Sequence, residues 1–478
     1  MTAHVPPVTA AVRRGPMLAV LLTGQVMASM DGSIVSVAAQ TIRDDLNAGG
    51  AAIQLIVSGY LLTTGVLLVT CARLGDILGH RRAFLLGLAW FTAASLLCGL
   101  APGALVLVLA RIAQAVGAAL LMPQVFSLIQ VHWEGAARRR AIGVYSMVLA
   151  LGVALGQIVG GLVVGADLWG LSWRPAFLVN VPIGVALLVV EPRVLAGARS
   201  EGGPRLDVAG VAALTIAMTA FTGPLIFGPE YGWPLWCWVS LVCGAALLAA
   251  FVRYEAKARQ PLLDPRAVRP PGVKPGMAAC WIIMGCYTVF LLTLTLHLQS
   301  ALRFSPFEAG LAFVPYAVGF GSLSLSWNRY HPRLQRLLPL LGPLAFAAGA
   351  ATIVVLARDR WPGLVSVPIL AFAGAGHAAG YSPLIAQVSS LVDTRFASAV
   401  SALNSTGPLL ASVTAVAGLG SVYFAAPASA DGLVRVMAAI TVLLVLGAVC
   451  AQRARTASPP SAGTSAGTSA GASAATGG

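Results

Sequence analysis

Fourteen apolar stretches, most of them long enough to cross a bilayer, leave this chain little choice of fold. They fall at about 17–40, 52–72, 83–101, 104–131, 141–165, 175–190, 207–228, 235–252, 276–298, 307–327, 336–356, 363–388, 397–421 and 431–450. A helix that spans the hydrocarbon core needs about 20 such residues. Of the 478 residues 58% are apolar and 10% charged, where a soluble domain carries about 25% charged residues. The chain therefore reads as an all-α polytopic membrane protein. The first run follows Arg13-Arg14 but is too long for the apolar part of a cleavable signal, and no small-residue cleavage site ends it.

The charges set the threading. With the N-terminus in the cytoplasm and fourteen crossings, 23 of the 30 basic residues fall in cytoplasmic segments. Only Arg43, Arg174, Arg303, Arg358, Arg360 and Arg435 fall outside, and Arg111 lies within a helix. Such a bias is the positive-inside pattern, and it requires both chain ends on the same side. The net charge of +14 thus marks topology and contact with anionic lipid; nucleic acid is the poor alternative. Tyr231, Trp233, Trp236 and Trp238 ring the turn between the seventh and eighth runs, as interfacial aromatics do. Five prolines mark 253–275 as the longest polar loop, dividing eight helices from six. The Ser/Ala/Gly/Thr repeats after Ser458 have the composition of a disordered tail.

Within the first run stands Asp31, about 21 Å along a helix that starts at Met17. A charge at that depth costs about 2.5–3.5 kcal/mol even on a mild scale. It needs a partner, a water-filled cavity or a proton, so Asp31 is either tied up by neighbouring helices or a proton or substrate-cation site. Arg111, about 10 Å below the outer end of the fourth run, shares its depth. His377, among Gly374, Gly376 and Gly380, is compatible with titration, substrate binding or a structural hydrogen bond. Gln114 and Gln157 suit either a cavity wall or a helix-to-helix hydrogen bond. Gly152, Gly156 and Gly160 lie four apart on one helix face, where small residues admit close packing, and Gly161 follows them. The seven cysteines show neither metal spacing nor a disulfide framework, and no nucleophile elbow or phosphate loop suggests an enzyme.

Between the second and third runs, Gly79 permits a tight reversal, and Asp76 ends one helix beside His80, Arg81 and Arg82. Leu74, Asp76, Gly79 and Arg81 match the G-x-L-x-D-x-x-G-x-R/K signature of the major facilitator superfamily, with Ala72, Ile77 and His80 as departures. Met30-Asp31-Gly32-Ser33-Ile34-Val35 resembles the L-D-x-T-I-V segment of its fourteen-helix drug:proton antiporter branch, the multidrug efflux transporters. Arg111-Ile112-Ala113-Gln114-Ala115-Val116-Gly117 is similar to R-x-x-Q-G-x-G. The stretch from Gly152 to Gly161 is similar to the antiporter motif G-x-x-x-G-P-x-x-G-G, with Gln157 in place of the proline. The resemblance covers roughly residues 15–450.

It implies a major facilitator fold of two six-helix bundles plus two extra helices, fourteen transmembrane helices in all. The expected divisions are a cytoplasmic segment at 1–16, a bundle at 17–190, the additional pair at 207–252, a loop at 253–275, a bundle at 276–450 and a disordered tail at 451–478. The implied function is proton-driven export of amphipathic small molecules across the bacterial cytoplasmic membrane by alternating access. No cofactor is needed beyond the proton gradient, and the expected state is a monomer. Asp31 would carry the proton, with Arg111, Gln114, Gln157 and His377 around the coupling site and cavity. Asp76, Gly79, Arg81 and Arg82 would form a conformational switch. Proton-coupled uptake of a nutrient is the alternative, left open by Gln157.

Overall fold

The computed structural model describes residues 14–194, 208–257, 265–392 and 397–457. The first half contains α1 (Arg14–Asp45), α2 (Gly50–Leu78), α3 (His80–Gly99), α4 (Ala104–His132), α5 (Gly135–Gly165), α6 (Pro175–Leu178) and α7 (Asn180–Val194). Next come α8 (Val208–Tyr231) and α9 (Leu235–Glu255). The second half contains α10 (Val273–Ser300), α11 (Pro306–Ala312), α12 (Val314–Ser326), α13 (Pro332–Leu356), α14 (Ser366–Ser390), α15 (Ala397–Phe424) and α16 (Ser429–Ala457). Among the described residues, twelve helical segments are long and apolar enough to cross a membrane, α11 and α12 counting within one of them. Two shorter apolar stretches, Leu155–Gly165 and Pro175–Glu191, stand where the fifth and sixth runs were read.

Helix ends overrun the apolar pattern. α1 reaches from Arg14 to Asp45 rather than 17–40, and α16 continues to Ala457 rather than stopping at 450. Outside the hydrocarbon a helix keeps its backbone hydrogen bonds whatever its side chains, so hydropathy underestimates it. Of the expected tail at 451–478, the residues after Ala457 lie outside the described residues, as do 1–13 of the N-terminal segment. Two runs are interrupted. Pro182 and Pro315 have no N–H to offer the carbonyls of Leu178 and Leu311, and the helices break between α6 and α7 and between α11 and α12.

The first bundle packs around Phe84, Leu88, Phe91 and Leu121 of α3 and α4, with Met17 and Leu21 of α1, all fully buried. The second packs around Phe290, Phe346, Ile353 and Leu370. The additional pair sits at the seam between them. Leu214 and Met218 of α8 and Phe251 of α9 meet Val66 and Val69 of α2, and Ile226 joins Ala51 of α2 to Ala417 of α15. Glu230, at the end of α8, accepts a hydrogen bond from the Ala51 amide at 3.1 Å, supplying one of the acceptors that the first turn of α2 lacks.

The bundles close on one another at their arginine-poor ends. Gln299 of α10 donates to the Val37 carbonyl of α1 at 2.8 Å. Phe424 of α15 packs on Gly50 of α2 and lies under the Arg43 guanidinium, 5.5 Å from its ring centre. Pro306 and Phe307 of α11 press on Gly161 of α5.

Candidate functional site

Five helices of the first bundle converge on Asp31. It is fully buried on α1, and Arg111 of α4, 1% exposed, places Nη1 2.5 Å from its Oδ2. Gln114, one turn after Arg111, donates to Asp31 Oδ1 at 2.8 Å and accepts from Arg111 Nη1 at 2.6 Å. Asn180, the first residue of α7, donates to the same Oδ1 at 2.9 Å. The Gln114 amide also donates to Ser95 of α3 at 2.8 Å. The Arg111 guanidinium carbon lies over the Tyr60 ring of α2, 4.1 Å from its centre, and Nε reaches the Ile56 carbonyl at 3.4 Å. Each carboxylate oxygen thus meets a donor and the guanidinium meets an aromatic face. Burying two charges is favourable only when such neighbours satisfy them.

The other polar residues singled out from the sequence stand apart from this cluster. Gln157 bridges α5 to α1 by donating to the Ser33 carbonyl at 2.9 Å, two residues from Asp31 along the chain. Gly152, Gly156 and Gly160 face Ser29, Ser33 with the Met30 carbonyl, and Ile34 of α1. A Cβ at Gly156 would collide with that carbonyl, so only glycine lets α5 approach this closely. Gly161 turns instead to α11. His377 lies in the second bundle, 2% exposed, with Nδ1 2.8 Å from the Tyr316 hydroxyl.

Gly79 (φ +87°) joins α2 directly to α3 at the turn between them, in a conformation that disfavours side chains. Arg81 binds Glu191 of α7 through Nε at 2.7 Å and Nη2 at 3.4 Å, and Glu191 is fully buried. Asp76 is 47% exposed and meets His80 at 3.5 Å. Arg82 is exposed. Gln124 of α4 ties this corner together, contacting His80 Nδ1 at 2.9 Å and donating to the Cys71 carbonyl at 2.8 Å. Sequence reasoning assigned no role to Asn180 or Glu191. Glu191 stands one residue past the end of an apolar run, and that position was its signal; Asn180 lies within the same run and its contact had none.

The arrangement is that of a helical membrane protein whose only buried carboxylate–guanidinium pair among the described residues lies inside one bundle of two. The profile of the Major Facilitator Superfamily matches residues 21–416, and the chain belongs to that family. It is a multi-pass cell-membrane transporter of small molecules, not an enzyme. It is 35% identical to a probable actinorhodin transporter of Streptomyces coelicolor over 88% of this chain and 74% of that one. To the cephamycin export protein CmcT of Amycolatopsis lactamdurans it is 36% identical over 82% and 78% of the two chains. The multidrug resistance protein Stp of Mycobacterium tuberculosis is 30% identical, over 86% of this chain and 76% of its own. Among solved structures, a bacterial homologue of the human lysosomal transporter Spinster, inward-facing and unoccupied, superposes with a TM-score of 0.67. The identity is 18% over 93% of this chain and 97% of that one, so the likeness speaks of fold alone.

Proposed function

We propose that the protein exports amphipathic antibiotic-like molecules in exchange for protons, as a member of the fourteen-helix drug:proton antiporter branch. Three relatives at 30–36% identity named as export or resistance proteins support the direction. The observation that carries the coupling is Asp31 with Arg111, Gln114 and Asn180 closed around it. In one access state the pair stays closed, as here. A helix shift or arriving substrate opens it; Asp31 then takes a proton from outside, its charge is gone, and the opposite access state becomes the favoured one. Deprotonation towards the cytoplasm restores the pair with Arg111. Gln157 and the α5 glycines hold α1 against α5 during this shift, and the Arg81–Glu191 pair with Asp76 and His80 acts at the cytoplasmic turn.

The reading includes fourteen crossings, the stretches ending at Gly165 and Glu191 completing the twelve longer ones, with both ends cytoplasmic and a monomer as the working unit. Everted membrane vesicles given an acid interior test it. They should accumulate ethidium, and a protonophore should release it. Efflux of dye from the same vesicles would instead mean uptake in the cell. A reporter after Arg455 should read as cytoplasmic and one near Glu230 as external; the reverse would sink the threading.

A further inference from the structure

Among the described residues of the second bundle, four buried polar atoms lack a hydrogen-bond partner, Trp281 Nε1, Thr406 Oγ1, Gln452 Oε1 and His377 Nε2, and the last of them stands inside a box of aromatic rings. His377 Nε2 has no hydrogen bond among the described residues, although the side chain is 2% exposed. Its other nitrogen is fixed by the Tyr316 hydroxyl. Five aromatic rings surround the imidazole, with centroids at 4.7 Å for Phe320, 4.8 Å for Tyr287, 5.5 Å for Phe346, 6.0 Å for Tyr381 and 6.1 Å for Tyr316. Gly374 and Gly376 bring the backbones of α12 and α13 against α14, which places rings from both helices around His377. The wall is uneven. Tyr316 and Phe346 are buried, whereas Tyr287, Phe320 and Tyr381 are half-buried.

A buried polar atom without a partner disfavours the folded state, and it persists where something else uses it. Around His377 there is no acid or guanidinium to attract an ion; among the described residues, none is buried anywhere in α10–α16. Ring faces and edges instead favour another flat ring. A neutral imidazole donates from one nitrogen and accepts at the other, and the Tyr316 hydroxyl can serve either tautomer. Nε2 can therefore meet a hydroxyl as donor or acceptor.

We propose that this box is the recognition subsite for the substrate, taking a planar aromatic ring that carries a hydroxyl or equivalent group. The hydroxyl bonds His377 Nε2, and Tyr287 and Tyr381 swing aside to let the ring stack between Phe320 and Phe346. This rests on the transport reading above, because it names what that transporter takes. It separates recognition in the second bundle from proton coupling in the first.

The test is equilibrium binding to the full-length protein in lipid nanodiscs with no proton gradient, empty nanodiscs serving as the partition blank. The probes are 2-naphthol, 2-methoxynaphthalene and the saturated alcohol 2-decalol. Wild type should bind 2-naphthol about tenfold more tightly than either of the others, the worth of one net hydrogen bond or of ring stacking. His377→Phe keeps a ring and should bind 2-naphthol and 2-methoxynaphthalene alike. His377→Gln keeps a hydrogen-bonding group and should restore most of the preference. Three results would overturn the proposal: no preference in the wild type, an intact preference in His377→Phe, or an equal loss in His377→Phe and His377→Gln. Binding is read without a gradient. A failure of proton-driven accumulation therefore counts against the transport reading while leaving the preference standing, and loss of the preference leaves export itself intact.

Discussion

The two bundles bury different chemistry. Inside α1–α7 a carboxylate and a guanidinium meet, each wrapped in donors, acceptors and aromatic faces. Inside α10–α16 the buried polar residues described are hydroxyls, amides and imidazoles, such as Thr293, Gln299, His297, His377 and Ser412. A charge pair responds strongly to one proton, since neutralising one member leaves the other buried alone. An aromatic box responds to shape and to single hydrogen bonds. On the proposed reading the contrast divides the work: one half would sense the gradient and the other would meet the cargo.

The largest effect should come from Asp31→Asn, which removes the charge that the division assigns to the first bundle. It should abolish uphill accumulation of ethidium in acid-interior vesicles while leaving downhill exchange measurable. His377→Phe, by contrast, should change apparent affinity, and what it accumulates should still vanish with a protonophore. If Asp31→Asn pumps uphill at the normal rate, the first bundle is not the gradient sensor.

Arg111→Ala should come next. It strands a fully buried carboxylate, and breaking such a pair from one side costs about 3–5 kcal/mol. Thermal unfolding in detergent should fall well below wild type. The double change Asp31→Asn with Arg111→Gln should recover much of the loss, because no charge is then left alone. Equal and additive losses would mean that the pair is not coupled.

How far this was legible follows from the residues. Asp31 and Arg111 stand out because each is costly in an apolar run, and their common depth could be counted from helix rise. Gln114 follows from its position three residues beyond Arg111. Asn180 meets Asp31 from 149 positions away, and nothing in local pattern announces such a contact. Glu191 falls one residue past the apolar run that ends near 190, just where hydropathy stops informing. The aromatic box draws its rings from four helices, so no spacing reveals it; His377 alone was visible. The breaks before α7 and α12 were written in Pro182 and Pro315, but a hydropathy window averages over a missing N–H.

Packing offers a smaller effect that sharpens the same contrast. Gly156→Val would push α5 off α1 at Met30 and Ser33, on either side of Asp31. Overpacking of this kind costs about 1–3 kcal/mol. The change should lower thermal stability and reduce the accumulation ratio at a fixed gradient. Gly376→Val would push on Phe346 in the other bundle. It should alter naphthol binding while leaving the dependence on the gradient. If both variants damage coupling to the same degree, the two halves are not separable.

The smallest effect should be at the turn between α2 and α3, where two acids of opposite exposure can be compared. Asp76 is 47% exposed and its contact with His80 spans 3.5 Å. Such surface pairs contribute about 0–1 kcal/mol, so Asp76→Asn should barely move the unfolding temperature. Glu191 is fully buried and holds Arg81 through two nitrogens, so Glu191→Gln should destabilise more. Neither acid lies near the Asp31 cluster or the aromatic box, so neither should change 2-naphthol affinity. What Asp76 can change is the rate at which α2 and α3 move about Gly79. In vesicles, Asp76→Asn should slow initial export severalfold with the half-saturating dye concentration unchanged. A large loss of affinity with normal turnover would place Asp76 on the substrate path, and the separation of gradient sensing, recognition and switching into three regions would fail.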